Sequence, residues 1–292
     1  MMNGKAAKPA VKIIIAAHKK YRMPSDDIYL PLHVGAEGKT DGEGNPIELG
    51  MLKDNTGEHI SEKNASFCEL TALYWAWKNL DADYIGLAHY RRHFSGKGIK
   101  VQGRRKSCLK KPGGDPFEKV LDAAQAEDLC SKYRMILPKK RRYYVESLYS
   151  HYAHTHYASQ LDMTRTVIEE LYPEYTQYYD RVVKQTYGYM FNMMIMEKEL
   201  LDAYCSWLFR ILFELEKRIN RSDLSAYQGR CYGRISEIIF NVWLACQMDS
   251  GVLRKEEITE IPWIYTEKVN WYKKGAAFFK AKFFHVRYEG SF

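Results

Sequence analysis

The sequence predicts an α/β fold, and three segments carry that reading. Val11 to Ala17 (VKIIIAA) is a continuous apolar, β-branched run, the pattern of a strand buried on both faces as in parallel sheets. Ser61 to Leu80 places Phe67, Leu70, Leu73, Tyr74 and Trp77 at helical spacing, with Ser61 or Asn64 as the cap. Asp81 to Leu87 (DADYIGL) then enters a second buried strand. Strand, helix and strand in that order make a βαβ-like plan.

The remaining segments follow from the same patterns. Tyr29 to Val34 reads as a short strand with Pro31 near its start. Gly35 to Gly57, rich in Gly, Asp and Asn, reads as a long loop, a class of segment that is usually functional or disordered. Ser95 to Pro116 is a basic, Gly-rich loop. Phe117 to Tyr133 reads as a helix and Met135 to Pro138 as a short strand. Lys139 to Arg142 (KKRR) is either a solvated face or a phosphate patch. His151 to Leu171 reads as a helix, Tyr187 to Met196 as a strand, and Glu197 to Asn220 as an amphipathic helix with Leu200, Leu201, Tyr204, Leu208, Ile211, Leu212 and Leu215 on its apolar face. Ile235 to Cys246 reads as another helix. Trp271 to Tyr288 alternates aromatics with Lys and Arg and holds no Asp or Glu. That tail is either a membrane-surface segment or a final basic element packed on the domain.

Composition bounds the partners. The chain has 292 residues, with 46% hydrophobic and 27% charged, enough for one large domain. The expected division is a disordered start at 1–10, a domain over 11–270 and the tail at 271–292. A net charge of +8 favours anionic partners such as nucleotide phosphates, nucleic acid or an acidic membrane surface. The 23 Tyr, 6 Trp and 12 Phe suit stacking on sugars and bases as well as core filling. Cys68, Cys108, Cys130, Cys205, Cys231 and Cys246 form no C-x-x-C pair, so reduced thiols in a cytoplasmic protein are expected. No signal-peptide pattern and no run of about 18 apolar residues is visible, so membrane contact is expected to be peripheral.

The sharpest chemical signal is His89-Tyr90-Arg91-Arg92-His93, which follows a buried strand. Ligands of open α/β sheets bind beyond the carboxyl ends of strands. Guanidinium forks grip phosphate oxygens and stabilise charge that develops on a departing diphosphate. His18 and Lys19 follow the first strand in the same way. A base for an acceptor hydroxyl would come from Asp54, Glu69 or Glu237, which the sequence does not rank. Asp81-Ala82-Asp83 has a metal-binding D-x-D form but precedes its strand instead of following it. His151, His154 and His156 lack the Cys or carboxylate partners of a zinc site. The dinucleotide, P-loop, serine-hydrolase and zinc-protease motifs are all missing.

A long ordered signature runs from Asp54-Asn55-Thr56-Gly57 through Ile60 to Asn64, Cys68 to Asn79 and Asp83 to Arg92. It continues in Phe191-Asn192-Met193, Trp207-Leu208-Phe209 and Arg230-x-Tyr232-Gly233 with Glu237, covering roughly residues 11 to 272. This signature resembles a bacterial domain-of-unknown-function family of capsular and exopolysaccharide glycosyltransferases, some of them galactofuranosyltransferases. The resemblance implies a GT-A-like, Rossmann-type mixed sheet flanked by helices, with a helical C-terminal part. It implies transfer of a hexose from a nucleotide-diphosphate sugar, a UDP-sugar first, to a glycolipid or oligosaccharide acceptor at the inner face of the plasma membrane. Catalytic residues would be Glu69, His89 and Glu237. Donor-binding residues would be His18, Lys19, Asp54, Asn55, Asn64, Tyr90, Arg91, Arg92 and Asn192. No metal ligand is assigned; a divalent cation (Mn or Mg) stays open, with Arg and His replacing it as the working idea. Gln160 stands where the family carries an acidic residue, which counts against a role for the Tyr152–His156 region. The competing readings are a nucleic-acid-binding protein, which lacks any module signature, and a non-catalytic scaffold of a polysaccharide assembly complex.

Overall fold

The computed structural model describes residues 8–101 and 114–267. The first part forms β1 (Val11–Ala17), β2 (Tyr29–His33), β3 (Leu52–Lys53), α1 (Asn64–Phe67), α2 (Leu70–Asn79), β4 (Tyr84–His89) and β5 (Arg92–Phe94). Next come α3 (Ala123–Cys130), β6 (Met135–Pro138), β7 (Arg141–Arg142), α4 (Leu148–Thr155), α5 (Ala158–Leu171) and α6 (Thr176–Val182). The last described part holds β8 (Tyr187–Gly188), β9 (Met194–Glu197), α7 (Lys198–Arg218), α8 (Cys231–Asp249), β10 (Ile258–Ile261) and β11 (Trp263–Tyr265).

Nine strands make one mixed sheet in the order β10-β6-β9-β4-β1-β2-β3, with β5 paired to β4 and β11 to β5. β1 is parallel to β2 and β4; Ile13 lies opposite both Tyr29 and Gly86. β9 is antiparallel to both β4 and β6, and β10 is parallel to β6. The carboxyl ends of β1, β2, β4, β6 and β10 therefore share one edge of the sheet. β1 is apolar throughout because both its faces are covered: Ile13, Ile14 and Ile15 are wholly buried. Each such side chain contributes about 1.5–3 kcal/mol relative to exposure. Gly86 sits where a Cβ would come 2.9 Å from Ile195 and 3.1 Å from the Met194 carbonyl, so only glycine lets β9 lie this close to β4. One face of the sheet packs on α2, α5, α7 and α8 through Leu73, Leu208, Ile239 and Trp243; the other carries a smaller core with Leu121, Ala126 and Leu129 of the α3 region.

The fold is the α/β class expected, and several boundaries move. The helix expected over 61–80 is broken at Cys68, whose φ of 55° and ψ of −131° lie outside helical space. Asn64 stabilises the break by donating to the Cys68 carbonyl at 2.8 Å and to Thr71 Oγ1 at 3.2 Å. The strand expected over 187–196 is two strands with a turn between them. There Phe191 and Asn192 both take positive φ, 76° and 51°. Tyr189 cannot join a ladder because its backbone N–H and carbonyl are both taken by the Asn241 side chain, at 2.8 and 3.0 Å. The 151–171 helix is interrupted at His156, between α4 and α5. The 117–133 helix starts only at Ala123, because Asp122 and Gln125 close a capping box there. The loop over 35–57 contains β3, the second buried strand runs 84–89, and α8 extends from 231 to 249.

Of the terminal segments, 1–7 and 268–292 lie outside the described residues, and with them the basic–aromatic tail. Lys8 pairs with Glu127, and the Ala10 N–H donates to Asp83 at 2.7 Å. Cys108 also falls outside; the other five cysteines are buried free thiols. Among the described residues no helix is long and apolar enough to cross a membrane.

Candidate active site

β4 ends at His89 and the chain folds back through Tyr90 and Arg91 into β5, with His89 opposite Arg92. The loop leaving β1 interlocks with this turn. Tyr21 stacks on Tyr90 with ring centres 3.9 Å apart, and His18 meets Tyr90 edge-on at 5.1 Å. Lys19 sits at the rim over the Tyr21 ring. Arg91 lies over Tyr90 at 5.1 Å, and Arg92 over Phe191 at 4.6 Å and Tyr265 at 5.3 Å. Stacking fixes the guanidinium planes without using up their hydrogen-bond donors. Nε of Arg91, Nε of Arg92 and Nδ1 of His89 are buried without a hydrogen-bond partner among the described residues. Burial, then Arg92 and Arg91, hold the His89 imidazole neutral, well below its ordinary range. His18 is lowered too, first by burial and then by Lys19, Lys39, Arg230 and Arg91.

Two carboxylates face this cationic wall. Glu69 follows the Cys68 break and is held by Asn192, whose Nδ2 donates to Glu69 Oε1 at 2.8 Å and to the Gly233 carbonyl at 2.8 Å. Ser236 completes the clamp by donating to Asn192 Oδ1 at 2.9 Å. Glu237 lies on α8 and accepts the Phe191 backbone N–H. Its carboxyl is raised to about 7, first by burial and then by the negative charge of Glu69, with Arg92 and Arg141 pulling the other way. A carboxylate tuned to neutrality suits general acid–base work. Four non-glycine residues in the described chain have positive φ, and three of them, Cys68, Phe191 and Asn192, bracket this pair. Such conformations cost about 1–3 kcal/mol each and concentrate at functional sites.

The expected site residues divide into two groups. His18, Glu69, His89, Tyr90, Arg91, Arg92, Asn192 and Glu237 converge at the carboxyl edge of β1 and β4. Asp54, Asn55 and Asn64 instead build the neighbouring loops. Asp54 is fully buried and accepts from the Gly35 N–H at 2.8 Å, the Ala36 N–H at 3.1 Å and the Ser61 hydroxyl, so it ties these loops together. Asn55 donates to Glu37 at 3.0 Å. Gly35 takes φ +64° and lies so close to Asn64 that a Cβ would come 2.6 Å from it. The D-x-D pair is at the far end of β4: Asp81 pairs with Lys198 and Asp83 caps Ala10. His151 and His154 both bind the buried Glu146, at 2.8 and 2.9 Å, and Gln160 accepts from Tyr152 at 2.6 Å, so this region is packing.

Sequence reasoning gave no role to Arg230 and Arg234. Arg230 Nε donates to Cys68 Sγ at 3.2 Å, and its charge reaches His18 and His89. Arg234 donates to His156 Nδ1 at 2.9 Å and stacks on Tyr227 at 4.0 Å. With Glu237 they stand at i, i+4 and i+7, one face of α8, a spacing visible in the sequence. A divalent cation of the D-x-D type would sit just after β4. The side chains there are Arg91 and Arg92, whose charge does not fit one, and among the described residues no three metal-ligating groups converge.

The family described as "Domain of unknown function (DUF4422)" matches residues 12–248. No curated protein matches the chain. Among solved structures it is similar to the apo structure of WbbM, a bifunctional glycosyltransferase, with a TM-score of 0.76 and 30% identity. The similarity covers 89% of this chain and 46% of that one, so the chain spans about half the length of WbbM.

Proposed function

The chain belongs to the family described as domain of unknown function DUF4422, and from that premise we propose that it is a glycosyltransferase taking a hexose, galactofuranose among the candidates, from a UDP-sugar. The acceptor in this reading is a glycolipid or oligosaccharide of capsule, exopolysaccharide or O-antigen synthesis, met at the cytoplasmic membrane face. The observation that carries it is the set of buried nitrogens on His89, Arg91 and Arg92 that lack a partner among the described residues, opposite the Glu69–Glu237 pair. Buried donors without partners are costly, so their natural complement is a ligand rich in anionic oxygens.

The chemistry divides between the two walls. Glu237 takes the proton of the acceptor hydroxyl as that oxygen attacks the anomeric carbon. The bond from that carbon to the diphosphate breaks, and the electron pair leaves with the diphosphate. Arg91, Arg92 and Arg230 stabilise that charge, and neutral His89 contributes a hydrogen bond. Glu69 keeps the Glu237 carboxyl high, and Asn192 orients Glu69.

A thermal-shift screen against UDP-, GDP-, CMP- and dTDP-sugars tests the reading. At a hundredfold excess over Kd, a UDP-sugar stabilises by about 2.7 kcal/mol, which is about 4 °C for a chain of this size. The shift is expected to survive chelator and to vanish in Arg92→Ala. The absence of a shift with every nucleotide sugar sinks the proposal.

A further inference from the structure

On the same edge of the sheet as the candidate site, the chain leaving β6 forms a second surface with its own character. Lys139, Lys140, Arg141 and Arg142 lead directly into Tyr143, Tyr144 and Val145. Tyr144 is 81% exposed and Val145 69%, the two most exposed large apolar side chains described. Tyr144 holds φ at 60°, so the tip is turned outward at a conformational cost. Across the small β7–β8 ladder Tyr187 lies opposite Arg142 and is also exposed. Lys140 and Arg142 flank its ring at 5.4 and 5.8 Å. The acid that follows, Glu146, is buried and engaged by His151 and His154, which anchors the base of the loop and keeps its charge away from the surface. Lys140 also stands 3.7 Å from Glu260, which leaves the exposed Lys139 and Arg142 as the main free charge beside the tip. A protruding aromatic–aliphatic tip preceded by exposed cations matches the chemistry of an anionic bilayer surface, where the tip enters the headgroup layer and the cations meet lipid phosphates.

We propose that the Tyr144–Val145 loop, with the exposed Lys139 and Arg142 that precede it, docks the protein on an anionic membrane. Arg141 links this surface to the site, because its charge is felt by Glu237. A bilayer beneath the loop would therefore lie beside the carboxylate that handles the acceptor. This orientation rests on the transferase reading, whereas the docking does not.

The test is flotation of the full chain with phosphatidylglycerol-rich and with pure phosphatidylcholine vesicles, in the absence of substrate. Wild-type protein is expected to float with the former only. The tip variant Tyr144→Ser/Val145→Ser is expected to lose about tenfold in vesicle affinity. The charge variant Lys139→Gln/Arg142→Gln is expected to lose roughly thirtyfold, near fivefold per cation. Circular dichroism checks that both stay folded, as their exposure predicts. Transfer to a soluble oligosaccharide acceptor should be unaffected in the tip variant, so failure of docking and failure of the transferase reading give different results. Wild-type protein that floats with neither vesicle, or variants that float like wild type, overturn the proposal. So does loop-dependent binding to a soluble acidic polysaccharide without vesicle binding, which would assign the patch to polymer.

Discussion

Replacing Glu237 by Gln separates its chemical and its energetic roles. The carboxyl has an ordinary value of 4.5 and stands at about 7 in the folded protein. The folded state thus holds the proton more tightly than the unfolded chain does. Stability from this group is complete below pH 4.5 and is lost as pH rises through 7. At 1.36 kcal/mol for each tenfold change, the loss is at most about 3 kcal/mol. For a chain of this length that is about 5 °C in melting temperature. Glu237→Gln keeps the shape and still accepts the Phe191 N–H, but it carries no charge. Melting curves of wild type and variant should lie close together at pH 5 and separate by up to about 5 °C at pH 8, the variant being the more stable. Turnover should fall by about 10²–10⁴. Glu69→Gln in the wild-type background removes the neighbouring charge and should move the rising limb of the pH–rate profile to lower pH. A melting difference that is the same at pH 5 and pH 8, or a Glu237→Gln enzyme with full turnover, refutes the assignment.

Arg92→Lys replaces a planar fork with a point charge, so donor affinity should fall by about 10–100-fold, read as a reduced thermal shift. The apo melting temperature should fall slightly, since the ammonium is still a buried donor and loses the stacking on Phe191 and Tyr265. Asp54→Ala strands two backbone N–H groups and the Ser61 hydroxyl. It should cost at least about 3 kcal/mol in denaturant unfolding, and an unchanged midpoint would return Asp54 to the donor site. Gly233→Ala places a Cβ 3.0 Å from Cys68 Cβ and 3.1 Å from its sulfur. The expected loss is about 1–3 kcal/mol together with reduced turnover, and a neutral result would show that α8 is not held against Cys68.

The strand cores and the helix faces were legible because their periods report burial directly. VKIIIAA reads as a central strand, and the seven apolar positions of α7 are all buried. The HYRR turn was legible as a candidate site because a run of cations after a buried strand has few structural uses, and the fold places it at the carboxyl edge of the sheet. The breaks at Cys68 and at Phe191–Asn192 were not, because neither holds the Gly or Pro that marks positive φ or a stop; local bonds from the Asn64 side chain hold the first, and long-range bonds of Asn192 to Glu69, Gly233 and Ser236 hold the second. The structural partners of Asp54 were not legible for a related reason: an acid in a Gly-rich loop looks like a ligand contact, and only the fold brings three donors onto it. Arg230 was visible as part of a repeated face with Arg234 and Glu237. Its role depends on α8 approaching the β1 and β4 ends, a contact across 140 residues or more that no local pattern encodes.

The close approach at Gly233 has a bearing on motion. The Gly233 carbonyl receives Asn192, Asn192 holds Glu69, and Glu237 lies one helical turn further along the same helix. The two carboxylates are thereby bolted to one rigid body whose seam with Cys68 leaves no room to slide. Under the proposed function, rearrangement at the site is then expected in the opposite wall, the stacked Tyr21–Tyr90 pair. Slow exchange should appear in the backbone signals of that stack while those of α8 stay sharp.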